Sequence, residues 1–319
     1  MPPTAPTGSP TSAWSVADAK APPLTAVGSF DRDTAVHELS RLDGAQTPLR
    51  VEFAADVSPD WRAGRGPHGG YIAAILTRAL IETVDDQSRA PRSLTIHYAR
   101  APEPGPVTIT TSIERAGRSL STLSARMEQR GKLIALALAA FSVPWSAPEL
   151  RELPMPEVAP AEPVRATDAP LFEGAPPFTR HIVVQRRIGA VPFKGEDAPM
   201  EVGAWLGLAE PRAIDAISLA FFSDALFSPP FVRLREPATT PTVDLTVHFR
   251  TPLPPARPAG SPDADATHGA PAHQLCFARF RSGLVQDGFF EEDGVIWAAD
   301  GTVLAQSRQL GIVMMLPIG

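Results

Sequence analysis

Leu94-Thr95-Ile96-His97-Tyr98 is matched later in the chain by Leu245-Thr246-Val247-His248-Phe249, and this pair decides how the sequence divides. Both runs alternate apolar and polar residues, the pattern of a strand with one buried face. Further on, Gly131-Lys132-Leu133-Ile134-Ala135 is matched by Gly301-Thr302-Val303-Leu304-Ala305, and both continue as apolar runs ending at Val143 and Val313. The two matches stand at different offsets. An extra loop in the second copy accounts for this, and a Pro/Ala/Asp-rich stretch at 252–271 lies where it is needed. A duplicated unit is the economical reading.

Working outward, each unit opens on a strand-like segment, 49–55 and 181–187, followed by one apolar helix. The first helix is predicted over 68–85, with Ile72, Ile75, Leu76, Ala79 and Leu80 at helical spacing. Its counterpart is predicted over 211–226, with Ile214, Ile217, Phe221 and Phe222. Strands follow at 93–99, 107–116, 121–129 and 132–143, and again at 242–250, 274–283, 289–298 and 302–314. One helix and an antiparallel meander per unit predict an α+β fold in which a curved sheet wraps its helix. The expected divisions are a disordered tail at 1–26, a first unit at 27–146, a Pro-rich linker at 147–177 and a second unit at 178–319.

A chain of 319 residues has room for two such units. With 29 Lys+Arg against 35 Asp+Glu and a net charge of -6, it offers no basic stripe for a phosphate backbone, so nucleic acid is not an expected partner. The single cysteine, Cys276, lies in the apolar run Leu275-Cys276-Phe277 and reads as a buried thiol. Residues 1–26 lack the basic start and continuous apolar stretch of a secretory signal, and no run approaches the roughly 20 apolar residues of a membrane span. A soluble, cytoplasmic protein is the expectation.

Gly64-Arg65-Gly66-Pro67-His68-Gly69 satisfies G-x-G-x-x-G, but no strand immediately precedes it and no βαβ units follow, so a dinucleotide site is not expected. There is no G-x-S-x-G elbow and no P-loop pattern. The seven histidines are scattered without metal-ligand spacing, and neither a metal nor a cofactor is expected. Pro67-His68-Gly69-Gly70-Tyr71 is more informative. Glycines at a helix start let a ligand approach the backbone, where N–H groups can hold an anion or a developing oxyanion. A plain helix start is the alternative. Asp224 interrupts the apolar run Phe221-Phe222-Ser223-Asp224-Ala225-Leu226. It is either an accessible residue of a helix-terminal turn or a sequestered carboxylate, the form in which a general base or water-positioning group is often held.

The run 67–71, the segment Pro241-Thr242-Val243-Asp244-Leu245-Thr246-Val247-His248-Phe249 and the ending 294–313, with Gly301-Thr302-Val303-Leu304-Ala305-Gln306-Ser307-Arg308-Gln309, resemble the thioesterase-like superfamily related to acyl-CoA thioesterase II. The resemblance extends from about residue 30 to the C-terminus and is strongest in the second half. It implies a double hot-dog fold and hydrolysis of an acyl-CoA thioester by an Asp, a Thr and a Gln that position water. By motif these fall on Asp224, Thr242 and Gln309. Strand alternation places Thr242 on the polar face unless the strand start is irregular. In the internal repeat Thr242 corresponds to Pro91 and Gln309 to Ala139, so the polar set stands in the second copy alone. The first copy would then supply the oxyanion and substrate-binding end, His68, Gly69, Gly70 and Tyr71, with Phe221, Phe222 and Phe227 lining an acyl pocket. The implied partner is an acyl-CoA or acyl-carrier thioester, and exposed sheet edges leave a homo-oligomer open. Two other readings stand beside hydrolysis. One is a hot-dog hydratase or dehydratase, for which only His68 is near a candidate pocket, and the other is a non-catalytic acyl-chain binder.

Overall fold

The duplicated strands meet each other. In the computed structural model, which describes residues 28–44, 47–64, 66–164, 176–251 and 274–316, Ala90–Tyr98 and Thr242–Phe249 pair antiparallel with Thr95 opposite Thr246. His97 lies opposite Asp244 and Ser93 opposite His248, so equivalent positions exchange about a local two-fold at the threonine pair. The two threonine Oγ1 atoms are 3.1 Å apart.

In chain order the elements are α1 (Ser29–Asp33), β1 (His37–Gly44), β2 (Thr47–Val57), α2 (Gly69–Val84), β3 (Ala90–Tyr98), β4 (Gly105–Ala116), β5 (Leu120–Gln129), β6 (Lys132–Ser142), β7 (Ile182–Ile188), β8 (Glu201–Leu208), α3 (Ala216–Phe222), β9 (Thr242–Phe249), β10 (Cys276–Arg281), β11 (Phe289–Trp297) and β12 (Val303–Ile312). Among the described residues these strands form one antiparallel sheet in the order β1-β2-β4-β5-β6-β3-β9-β12-β11-β10-β8-β7. The order reads as 1-2-4-5-6-3 followed by the same topology reversed, two curved sheets joined edge to edge. Register repeats as well: Leu94 pairs with Ala139 in the first copy and Leu245 with Gln309 in the second. The tail at 1–26, the insertion at 252–271, Arg65 of the glycine-rich run and residues 165–175 of the linker lie outside the described residues.

Twelve of the sixteen residues of α2 are buried and Glu82 alone is exposed, so this helix runs through the core. The sheet covers one side and α3 the other. Its two buried threonines satisfy their hydroxyls locally, Thr77 donating to the Ala73 carbonyl and Thr83 to that of Ala79.

The second helix is shorter than the predicted 211–226. α3 spans Ala216–Phe222 because Asp215 caps it: its side chain accepts from the Ser218 N–H while Ser218 Oγ accepts from the Asp215 N–H, a reciprocal capping box. Upstream, Arg212 is drawn into ion pairs with Asp31 and Asp215. Asp224 therefore lies in the turn beyond the helix, not on it.

Asp31 joins the two copies. It pairs with Arg78 of α2 at 2.8 Å and with Arg212 at 2.9 Å, and both guanidinium side chains are almost fully buried. Burial alone would raise the Asp31 carboxyl, but the bonds to Arg212 and Arg78 outweigh it and hold it below the ordinary carboxylate range. The stabilisation is thus present above the unfolded-state value and fades as pH falls through the lower folded-state one. Asp31→Asn is expected to cost roughly 2 kcal/mol of unfolding free energy near neutral pH, measurable by urea denaturation.

Part of the predicted linker is docked on the second copy. Met155 and Val158 pack on Trp205, Phe277 and Trp297, whose indole N–H groups donate to the carbonyls of Ala159 (from Trp205) and Leu153 (from Trp297). This cover explains why β8 is buried on both faces.

Candidate active site

Three side chains from separate segments meet at the N-terminal end of α2. Asp224 Oδ2 accepts from the Gly70 N–H at 2.8 Å, and its Oδ1 lies 3.4 Å from Gln309 Nε2. The Thr242 hydroxyl donates to Gln309 Oε1 at 2.9 Å. A Cβ built on Gly69 would lie 2.8 Å from Asp224 Oδ2 and 3.7 Å from Thr242 Oγ1, so the glycine brings backbone against both.

Thr242 reaches this point through a β-bulge. Thr242 pairs with Gly311 and Asp244 with Leu310, leaving Val243 as an extra residue in β9. The extra residue reverses the alternation, and Thr242 turns inward. The first copy has the same irregularity between Pro91 and Ser93, opposite Phe141 and Ala140. The irregular start that alternation required is therefore a device of both copies.

His68 is 4% exposed; its Nε2–H donates to the Asp224 backbone carbonyl at 2.8 Å and lies 3.6 Å from Asp224 Oδ2. Burial outweighs the pull of Asp224 and lowers the imidazole pKa, which keeps it neutral near pH 7. Tyr98 donates to the Gly69 carbonyl at 3.0 Å, and burial, reinforced by the Asp224 charge, pushes its phenol well above the usual value. Its hydroxyl stays protonated.

A cavity of about 540 Å³ opens from this cluster, lined by both copies. Asp224, Thr242, His68 and Gly69 form its polar end, and Ile72, Ile134, Phe178, Leu226, Phe227 and Phe231 contribute apolar wall. Arg100 is the only Lys or Arg among the described residues that line it. No group of His, Cys, Asp and Glu among the described residues is arranged to hold a metal ion.

Four of the expected assignments need correction. Tyr71 is fully buried away from the cavity, its hydroxyl donating toward the Asp33 carbonyl and its ring stacked on Trp61, so it braces the helix start from behind. Phe221 and Phe222 are likewise off the cavity, in an aromatic core with Phe30, Trp61 and His68, and of the three phenylalanines Phe227 alone lines the wall. Neither helix-start glycine has an intrahelical acceptor, and the Gly70 N–H is taken by Asp224, which leaves Gly69 as the one whose N–H is not given to that carboxylate.

Glu292 joins the cluster from outside the motifs. It is 3% exposed, and its Oε1 accepts from Gln309 Nε2 at 2.7 Å. Burial pushes its carboxyl up to about 8, against the bond from Gln309 and with help from Asp224 and Asp293. A signal was available: an acid stands on the inward face of β11 between Phe290 and Ile296, where alternation calls for an apolar residue.

Two fused α+β units wrapped around a central helix, with a polar cluster between them, define a double hot-dog protein. The chain belongs to the acyl-CoA thioesterase family: the family models match its N-terminal domain over residues 57–142 and its C-terminal domain over residues 155–313. An uncharacterised protein of Mycobacterium tuberculosis is 23% identical over 288 residues, covering 82% of this chain and 90% of that protein. A hot-dog protein of unknown function from Alicyclobacillus acidocaldarius superposes with a TM-score of 0.72 at 23% identity, covering 92% of this chain and 100% of the other. An acyl-CoA thioesterase II from Mycobacterium marinum gives 0.61 at 19% identity, covering 92% and 99%. No helix among the described residues is long and apolar enough to cross a membrane.

Proposed function

We propose that this protein hydrolyses acyl-CoA thioesters, with Asp224, Thr242 and Gln309 positioning the attacking water and no cofactor required. The observation that carries the reading is the convergence of these three side chains on the glycine start of α2. Thr242 gives its proton to Gln309, so its oxygen is left as an acceptor for water beside Asp224. Asp224 takes a proton from that water as oxygen attacks the thioester carbonyl. The Gly69 N–H faces the developing oxyanion, a contribution that can reach about 3 kcal/mol. The C–S bond then breaks, and the proton passes from Asp224 to the departing thiolate. The apolar wall around Phe227 holds the acyl chain, and Arg100 suits an anionic headgroup.

Hydration of an enoyl thioester would instead use His68 with Asp224. The geometry favours hydrolysis, because the one N–H of the neutral imidazole is already given to the Asp224 carbonyl. The deciding measurement is release of free thiol from a panel of acyl-CoA esters by the purified full-length chain. Saturable thiol release is expected. A change in enoyl absorbance without thiol would support hydration, and saturable binding without turnover would leave a carrier.

A further inference from the structure

The hydrolytic scheme leaves Glu292 without a task. Its place in the sheet shows how unusual it is. In the second copy β11 and β12 pair Glu292 with Gln309, and the same rung of the first copy, between β5 and β6, pairs Leu123 with Ala139. Leu123 is fully buried, so the fold accepts a plain apolar side chain on this rung. The acid therefore answers a need that packing does not create.

That need lies in Gln309. A side-chain amide can turn over, exchanging its carbonyl and its NH2, and the Thr242 hydroxyl can serve either end because it both donates and accepts. In the turned form the Gln309 carbonyl would face Asp224 Oδ1, acceptor against acceptor. The 3.4 Å contact between Gln309 and Asp224 is long and cannot by itself hold the amide. The 2.7 Å bond to Glu292 is the shorter one, and Glu292 Oε1 accepts it either as a carboxylate or, with the acid proton on Oε2, as a carbonyl oxygen.

We propose that Glu292 is a positioning residue: by accepting from Gln309 Nε2 it holds the amide with N–H toward Asp224 and carbonyl toward Thr242, and so fixes the pair that orients water. The inference rests on the hydrolytic reading for its effect on rate, though not for its effect on the amide. The ionisable groups acting on Glu292 are Asp224, from the turn after α3, and Asp293 on its own strand, the latter ion-paired with Arg308 of β12 at 3.0 Å. His68 and Tyr98, the other titratable groups at Asp224, are both neutral near pH 7.

The test compares wild type, Glu292→Leu and Glu292→Gln in the full chain. Glu292→Leu, the residue found on the sister rung, is expected to lower kcat ~10- to 100-fold with KM within about two-fold and no fall in Tm. Glu292→Gln keeps a carbonyl acceptor, and it is expected to restore kcat to within about three-fold of wild type while erasing any step in the pH profile near 8. Wild-type kcat in Glu292→Leu overturns the proposal, as does equal loss in both variants. The Gln309 side-chain amide, followed by ¹⁵N NMR, gives a readout independent of turnover. A shifted, slowly exchanging N–H is expected in wild type and its loss in Glu292→Leu. If wild type releases no thiol from any acyl-CoA, the hydrolytic reading fails; an amide signal identical in the two proteins overturns the positioning role instead.

Discussion

Asp224→Ala is expected to lower kcat for thioester hydrolysis by ~10³-fold or more, with KM changed little and the fold intact. A group that accepts the proton of the attacking water acts mainly in the transition state, so its removal falls on kcat. The side chain is 15% exposed, and its loss leaves Gly70 N–H at the edge of a cavity that water can enter, so stability should drop by no more than about 1 kcal/mol. Asp224→Asn sharpens the test. Its amide oxygen can still accept from Gly70 and its size is conserved, yet it cannot take a proton. An Asn variant as inactive as Ala assigns the loss to proton transfer, whereas substantial activity in Asn would reduce Asp224 to a structural brace of the helix start. Hydrolysis at the wild-type rate in Asp224→Ala would remove it from the mechanism.

Much of this arrangement is legible in the sequence, because a half-buried strand writes its inner face in every second residue. That is why the match of 94–98 with 245–249 predicts strands that, in the structure, pair across a two-fold. Alternation fails where its premise fails. β8 is apolar from Val202 to Leu208 because Met155 and Val158 cover its outer face, and the edge strand β1 carries Leu39 and Leu42 at 60% and 65% exposure, so neither announces itself as a strand. Apolar spacing predicts a longer α3 because it continues past Phe222, whereas the capping pair Asp215 and Ser218 sets where the helix starts. Thr242 is legible by motif and reaches the cluster only through the bulge at Val243, a backbone irregularity without a marker in the residue types. Aromatic residues beside a motif are poor guides to a pocket wall: Tyr71, Phe221 and Phe222 are invested in core stacking, and the wall is lined by Phe178, Phe227 and Phe231, two of them next to neither motif helix.

The second large effect is expected at Gly70. A Cβ there would overlap the carbonyl oxygen of Phe221, a backbone atom of α3 with no freedom to swing aside. Gly70→Ala must therefore separate α2 from the C-terminal turn of α3, at a cost of about 1–3 kcal/mol for overpacking. The same separation pulls Asp224 away from the Gly70 N–H and toward neither Thr242 nor Gln309, because the Asp224 N–H is itself tied to the Phe221 carbonyl at 3.2 Å. A displacement of this kind in a water-positioning group lowers rate by ~10²-fold. Gly70→Ala should thus combine a lower Tm with a kcat loss that persists far below that Tm, at temperatures where the variant is fully folded by circular dichroism. Gly105→Ala supplies the contrast: its Cβ would meet nothing within 4 Å, its φ of +119° strains the backbone, and it lies on β4 away from the cavity. It should destabilise without altering kcat. If the two variants lose stability alike and both retain wild-type kcat, the close approach of the two helices is only packing. A selective kcat loss in Gly70→Ala would instead mean that the catalytic spacing is set by the absence of a single methyl group.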